Sequence, residues 1–523
     1  MQMNGKPYTP ETDKHQRKEK NVTRQLAKGG LTGIAGYIFL KPLNIFTSIL
    51  IARFLGTEGF GLYNLGLSIN VLMNVFTNFG LTQGIVKFSV KNQTEHDIPK
   101  IKGVIFSSLL FSLSLCVVIV IIQIIFAKEI SNWFFQNDSL ADVLIIFALS
   151  VPFNTLYALP AAFAQSFKKI KYQSLVVNIL RPLSFLLLVL VVIAFNYDLN
   201  FVLYANLFST IITAALSIYL IKNYFPEFFN SKIKAIKELR PLVSFSYKTM
   251  FTGFISILMI KVDRLMIGYF STSSDVGVYS AAANLAINVT FFLTPFAMIF
   301  LPISAELFHK NNFPELNKAF KNVTRWLLTF TLPIFFIFTS YSSELLQLFG
   351  KDYSLGGIVL ILISFAELIN VSTGPVGILL KMSGHQTVDL TISVLVLVIN
   401  SVLNLIMIPI YGMVGAALAT GIAIIVTHGL RLSMVWKHLK IFPYDLGILK
   451  TVLSFVVIVG CFYLFTTLLE PNLILKIGFG TFCMIIYALI FILSPKNEED
   501  VFILNSFKNK FLNRNKKQKS NIN

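Results

Sequence analysis

Residues 29–54 read GGLTGIAGYIFLKPLNIFTSILIARF, an apolar run with Lys41 near its middle and Pro42 directly after it. A helix that crosses a bilayer needs about 20 consecutive apolar residues, so this run is long enough to span. Thirteen more follow it, at 62–85, 104–126, 140–165, 174–195, 200–221, 242–262, 277–304, 326–349, 357–380, 388–409, 412–433, 447–468 and 476–494. The first, seventh and ninth hold polar interruptions. Of the 523 residues, 55% are hydrophobic and 13% charged, and the mean hydropathy is +0.71. A soluble chain of this length needs far more polar surface. The expected fold is an all-α integral membrane protein of about fourteen transmembrane helices.

The formal net charge of +19 raises nucleic-acid binding as a function. Its distribution argues against that. With both termini cytoplasmic, the inner segments hold 34 of the 44 Lys and Arg, and the outer loops hold three, Arg53, Lys128 and Lys351. The other seven, Lys41, Arg181, Lys248, Lys261, Arg264, Lys450 and Lys476, lie inside or at the edge of spans. An odd number of spans would scramble this alternation, so the positive-inside rule supports fourteen helices with both ends inside. Cys116, Cys461 and Cys483 lie in apolar runs and predict neither a disulfide nor a metal cluster. Residues 1–28 are polar and lack the short apolar core of a secretory signal.

A weak internal repeat divides the chain. Phe60-Gly61-Leu62-Tyr63 opens the second span and Val276-Gly277-Val278-Tyr279 opens the eighth, 216 residues later. Asn70 and Asn74 sit one turn apart in the second span, as Asn284 and Asn288 do in the eighth; Asn154 and Pro160 correspond to Asn370 and Pro375. Copies of six helices enter the membrane from the same side, so the lobes are parallel repeats related by an axis along the membrane normal. The expected division is a cytoplasmic segment at 1–28, an N-lobe at 29–221, an inter-lobe loop at 222–241, a C-lobe at 242–436, two added helices at 447–494 and a basic cytoplasmic tail at 495–523. Two such lobes enclose a cavity, and rocking them gives alternating access.

Nothing in the sequence indicates catalysis: there is no Gly-x-x-x-x-Gly-Lys loop, no metal-ligand spacing and no nucleophile set, so neither a cofactor nor a metal is expected. The embedded charges carry the signal, because a charge at bilayer depth is tolerated only against a bundle interior or a wet cavity. Lys41 is about 18 Å into its span, where it contacts an anion or pairs with Glu367 of the tenth span. Arg181, followed by Pro182, either lines the cavity or reaches back to the inner face. The seventh span carries Lys248, Lys261, Asp263 and Arg264. Arg264 has the fork for a phosphate, and Asp263 is the expected cation site or the partner of a nearby base; interfacial anchoring is the plainer reading of this group. The Asn70, Asn74, Asn284 and Asn288 amides suit sugar hydroxyls, and equally suit helix–helix bonding in lipid.

Ile51 to Tyr63 (IARFLGTEGFGLY), Val262 to Gly268 (VDRLMIG) followed by Val276 to Ser280 (VGVYS), and Tyr411 to Thr420 (YGMVGAALAT) together resemble the polysaccharide repeat-unit (O-antigen, Wzx-type) flippases of the multidrug/oligosaccharidyl-lipid/polysaccharide exporter superfamily. The resemblance runs over nearly the whole chain. It implies translocation of an undecaprenyl-pyrophosphate-linked oligosaccharide across the bacterial cytoplasmic membrane, a cationic cavity between the lobes, membrane lipids as neighbours, and coupling to Na⁺ or H⁺. In the related lipid II flippases the two added helices border a groove for the lipid tail. The embedded charges are not part of a carried-over motif. The alternatives are a cation-coupled multidrug antiporter of the same superfamily and a lipid II flippase. A membrane glycosyltransferase is disfavoured, because no outer loop is large enough to hold its site.

Overall fold

The computed structural model describes residues 10–493, with side chains from Phe39 onward. The predicted basic tail at 495–523 and the first residues of the N-terminal segment lie outside the described residues. The first repeat contains α1 (Pro10–Asn78), α2 (Leu81–Thr94), α3 (Ile98–Ile125), α4 (Ala127–Phe135), α5 (Ser139–Ser166), α6 (Ile170–Ser174), a π-helical turn at Leu175–Leu180, α7 (Arg181–Ala194) and α8 (Leu199–Ile221). The second contains α9 (Leu239–Phe270), α10 (Ser273–Ala286), α11 (Leu293–His309), α12 (Phe313–Ser340), α13 (Ser342–Gln347), α14 (Gly357–Ser372), α15 (Val376–Met382) and α16 (Gln386–Leu439). Helices α17 (Leu446–Leu469) and α18 (Leu473–Leu493) follow.

Eleven helical segments among the described residues are long and apolar enough to cross a membrane. Two of them, Phe39–Thr94 and Gln386–Leu439, have 56 and 54 residues. At 1.5 Å per residue each would measure about 80 Å, far more than one bilayer core. Both are broken where a glycine adopts a left-handed backbone, Gly56 (φ 67°) and Gly412 (φ 57°), so each supplies two crossings. Helix α9 is not among the eleven. Its 32 residues hold Lys248, Lys261, Asp263 and Arg264, yet it packs between α1, α2, α10 and α16 like a span. Counting the two folded segments twice and adding α9 gives the fourteen crossings expected.

The repeat is visible in the backbone. Asn196 (φ 53°) and Gly412 (φ 57°) turn the chain at positions 216 apart, and so do Lys168 (φ 58°) and Gly384 (φ 81°). The two copies meet where their glycines face each other. A Cβ on Gly61 would lie 1.7 Å from the Ser273 carbonyl oxygen, and one on Gly277 would lie 2.1 Å from that of Thr57. These contacts interchange when each residue is replaced by its repeat equivalent, so a pseudo-two-fold axis passes between the two helices. Ser274 Oγ donates to Thr57 Oγ1 at 2.8 Å, and Tyr353 OH donates to the Gly56 carbonyl at 2.8 Å. One apolar core joins both copies at this end, from Ile51, Phe60 and Leu65 to Val276, Tyr279 and Leu360. At the opposite end the cores are separate: Leu81, Ile101 and Phe163 belong to one, Phe300, Phe320 and Leu379 to the other. In the topology expected from the charge pattern, the shared end is the outer one. On the inner half, one seam is closed, where α2 lays Gly80 and Gly84 on Ser246 and Thr249 of α9. The equivalent helix of the second copy, α11, packs on α12 and α15.

The added helices rest on α12 rather than on the axis. Phe336, Phe455, Phe462 and Tyr487 form a separate apolar core. Lys476 Nζ bonds Glu344 at 2.8 Å, and Tyr341 OH donates to the Lys476 carbonyl at 2.9 Å.

Candidate functional site

Asp263 is the most thoroughly engaged acid in the spans. It is 3% exposed, at the point where α9 meets α10 and α16. Its Oδ2 accepts from Tyr279 OH at 3.0 Å and from Thr420 Oγ1 at 2.6 Å, and its Oδ1 accepts from Asn404 Nδ2 at 2.8 Å. Asn404 also donates to Asn400 Oδ1, while its own Oδ1 is buried without a partner. Three donors from two helices thus converge on one carboxylate, with Asn400 behind Asn404. The oxygen-rich set has the chemistry of a hard-cation or proton site. The sequence singled out Asp263 and missed its ring. The one-turn spacing of Asn400 and Asn404 in an apolar run was the available signal.

Arg264 points away from Asp263, as the 100° step between neighbours requires. It is 6% exposed. Its Nε donates to Ser280 Oγ at 3.1 Å, Nη1 to the Ile260 carbonyl at 3.1 Å and Nη2 to Asn284 Oδ1 at 3.0 Å. In this conformation the fork ties α9 to α10. Lys261, one turn before it, is half-buried, and Lys248 is exposed near the other end of α9. The structure does not bring Lys248 and Arg264 together.

Lys41 is near enough to act electrostatically on the Glu367 carboxylate. Glu367 is buried and accepts from Asn370 Nδ2 at 2.9 Å. Of the four asparagines, Asn70 and Asn284 bond across helices, and Asn74 and Asn288 bond back to their own helix. Asn70 Nδ2 donates to the Phe147 carbonyl and to Ser150 Oγ of α5. Asn74 and Asn288 donate to the carbonyls of Asn70 and Asn284, at 2.8 and 2.7 Å, and each leaves its Oδ1 buried without a partner.

Arg181 differs from the other embedded bases. The carbon of its guanidinium lies 5.2 Å from the centroid of the Tyr157 ring, and its Nε is buried with no hydrogen-bond partner. It stands directly after the π-helical turn, an irregularity that often marks functional positions in helices. The sequence singled out Arg181 but gave no sign of this turn.

Comparison with known proteins bears on the same frame. A family described as polysaccharide biosynthesis protein matches residues 26–308, more than half of the chain. A probable low-salt glycan biosynthesis flippase of Haloferax volcanii is 21% identical over 480 residues, covering 91% of this chain and 98% of that protein. A capsular polysaccharide biosynthesis protein of Staphylococcus aureus is 24% identical over 390 residues, covering 73% and 93%. Among solved structures, the lipid II flippase MurJ in an inward closed conformation superposes with a TM-score of 0.69 at 19% identity, over 88% of this chain and 98% of that one. At that identity the likeness speaks for the fold alone. The chain is a multi-span membrane protein that belongs to the polysaccharide biosynthesis protein family.

Proposed function

We propose that this protein is a flippase that moves a lipid-linked oligosaccharide, with undecaprenyl pyrophosphate as the carrier, across the cytoplasmic membrane by alternating access. The observation that carries the reading is the axis at Gly61 and Gly277. Here the lobes are sealed by glycine contact and a common core, while their inner-end cores are separate. Such a joint lets two rigid bodies rock about one end. Buried basic groups between and within the lobes suit a phosphate-bearing headgroup, which the protein shields from hydrocarbon as it crosses. Arg264, held by Ser280 and Asn284, is spoken for in the resting state. It becomes available to cargo only if those contacts exchange.

Asp263 is the proposed coupling residue. A cation entering its ring would take oxygen from Asp263, Thr420 and Asn400, and a turn of the Asn404 amide would add its unpartnered Oδ1. A proton would instead replace one of the donated hydrogen bonds. Binding of either changes the contacts between α9, α10 and α16, the helices that line the second lobe's side of the axis.

The test is surface polysaccharide in cells that depend on this gene. Restoration by the wild type, with loss on Asp263→Ala at normal protein levels, is expected. Full surface polysaccharide in the absence of the protein would remove the reading, and export of cationic dyes instead would favour the multidrug alternative.

A further inference from the structure

The two copies of the fold differ in charge at two pairs of equivalent positions beside one turn. Helices α5 and α15 end in the same turn. Lys168 and Gly384 are both left-handed, and the amides of Lys169 and His385 each bond back at 3.0 Å, to the carbonyls of Ala164 and Leu380. Flanking this turn are Gln165 and Gln173 in the first copy and, 216 residues on, Lys381 and Asp389 in the second. The second copy neutralises itself. Lys381 Nζ lies 3.8 Å from Asp389, and Arg431 Nε lies 2.7 Å from its other oxygen.

The first copy has no such closure. Gln173 Nε2 lies 3.4 Å from Gln165 Oε1, and these amides line a cavity of about 600 Å³ together with Gln83, Lys87 and Tyr157. Arg181 stacks on Tyr157 from the π-helical turn side, one helical turn after the lining residue Val177. The position 216 residues after Arg181 is Leu397. Lys87 sets its ammonium 4.0 Å from the Phe245 ring centroid, and among the described residues neither Lys87 nor Arg181 has an acidic partner. Lys87, three amides and the Tyr157 ring therefore line one cavity in the first lobe, and Arg181 stands beside it against the Tyr157 ring. The Arg181 guanidinium is half-buried, with its Nε buried and unpartnered, an arrangement that is costly to keep. Its fork matches phosphate, and amides both donate to and accept from hydroxyls.

We infer that this cavity, within the first lobe and not between the two, docks the phosphate-bearing end of the lipid-linked cargo, with phosphate at Lys87 and Arg181 and the adjoining sugar against Tyr157 and the Gln83, Gln165 and Gln173 amides. The assignment rests on the flippase reading above. The second lobe, whose equivalent positions are filled by an ion pair, supplies the moving frame and not the anion site.

The full-length protein in detergent is titrated with farnesyl pyrophosphate, farnesol and inorganic pyrophosphate, following heat of binding and melting temperature. Farnesyl pyrophosphate binds and raises the melting temperature, and farnesol does not. Arg181→Gln and Lys87→Gln each weaken that binding by about tenfold or more, the loss of one charge-assisted contact, and Lys381→Gln leaves it unchanged. Without ligand, Arg181→Gln melts at or above the wild-type temperature, because a buried Nε without a hydrogen-bond partner has been removed. Unchanged affinity in Arg181→Gln, with or without a lower melting temperature, overturns the assignment. Inorganic pyrophosphate binding as tightly as the farnesyl form overturns the lipid-linked cargo. A wild type that binds farnesyl pyrophosphate through Arg181 but restores no surface polysaccharide ends the flippase reading and leaves the site standing.

Discussion

Asp263 holds its neighbours as much as they hold it. Asp263→Ala strands Tyr279 OH, Thr420 Oγ1 and Asn404 Nδ2 in a buried site, and each unsatisfied donor costs about 1–3 kcal/mol. The variant should melt clearly below wild type in detergent, with Asp263→Asn between the two. If the ring is the coupling site, Na⁺ or a lower pH raises the wild-type melting temperature and has no effect on Asp263→Asn; equal responses in both proteins would exclude it. Lys41 and Glu367 make a second residue-scale case. Each removed alone leaves a charge at bilayer depth, so Lys41→Met and Glu367→Gln should be non-additive, with a coupling of about 0.5–3 kcal/mol in a thermal double-mutant cycle; strict additivity would show that they do not interact. At this scale the sequence gave up the charges and withheld their partners. Asn404 and Thr420 lie 141 and 157 residues from Asp263, and only the packing of α16 on α9 brings them near. Gln83, Gln165 and Gln173 each read as an ordinary polar residue near a helix end, and it takes the fold to gather them.

The element that decides the architecture is the helix pair crossing at Gly61 and Gly277. A side chain at either position would have to displace the carbonyl of Ser273 or Thr57, so Gly61→Val and Gly277→Val push the outer ends of the lobes apart. Thr57→Cys paired with Ser274→Cys reports this, since the native side-chain oxygens are 2.8 Å apart. The cysteine pair is expected to crosslink on mild oxidation and to stop transport until reduced. Adding Gly61→Val is expected to abolish the crosslink; an undiminished yield would show that the glycines do not set the contact. Composition was enough to find the fourteen crossings, because length and apolarity are what the bilayer demands of each. It could not reveal the breaks within crossings: the left-handed Phe79 and Gly80 that separate α1 from α2, the π-helical turn before Arg181, or the 3-10 turn at Ile287–Thr290. These interruptions lie in runs that stay apolar, and they are held by neighbours. Gly80, for example, lies where a Cβ would meet Thr249 Oγ1 at 2.2 Å.

At the scale of the molecule, a core shared at one end and divided at the other describes two bodies joined at a rim. The duplicated sequence made that arrangement legible, since parallel copies of six helices require an axis along the membrane normal. It gave no means to see that the copies had diverged, one pairing its charges and the other keeping a half-buried Arg181 with no acidic partner among the described residues. The most direct measurement is made on vesicles that carry the purified protein and an undecaprenyl-pyrophosphate-linked fluorescent oligosaccharide, with a membrane-impermeant glycosidase added outside. The account predicts that the sugar shielded in the inner leaflet becomes cleavable at a rate set by the amount of protein, and that Arg181→Gln slows this by about tenfold or more. Cleavage that stops at the outer leaflet, as in protein-free vesicles, while the protein remains folded would contradict it.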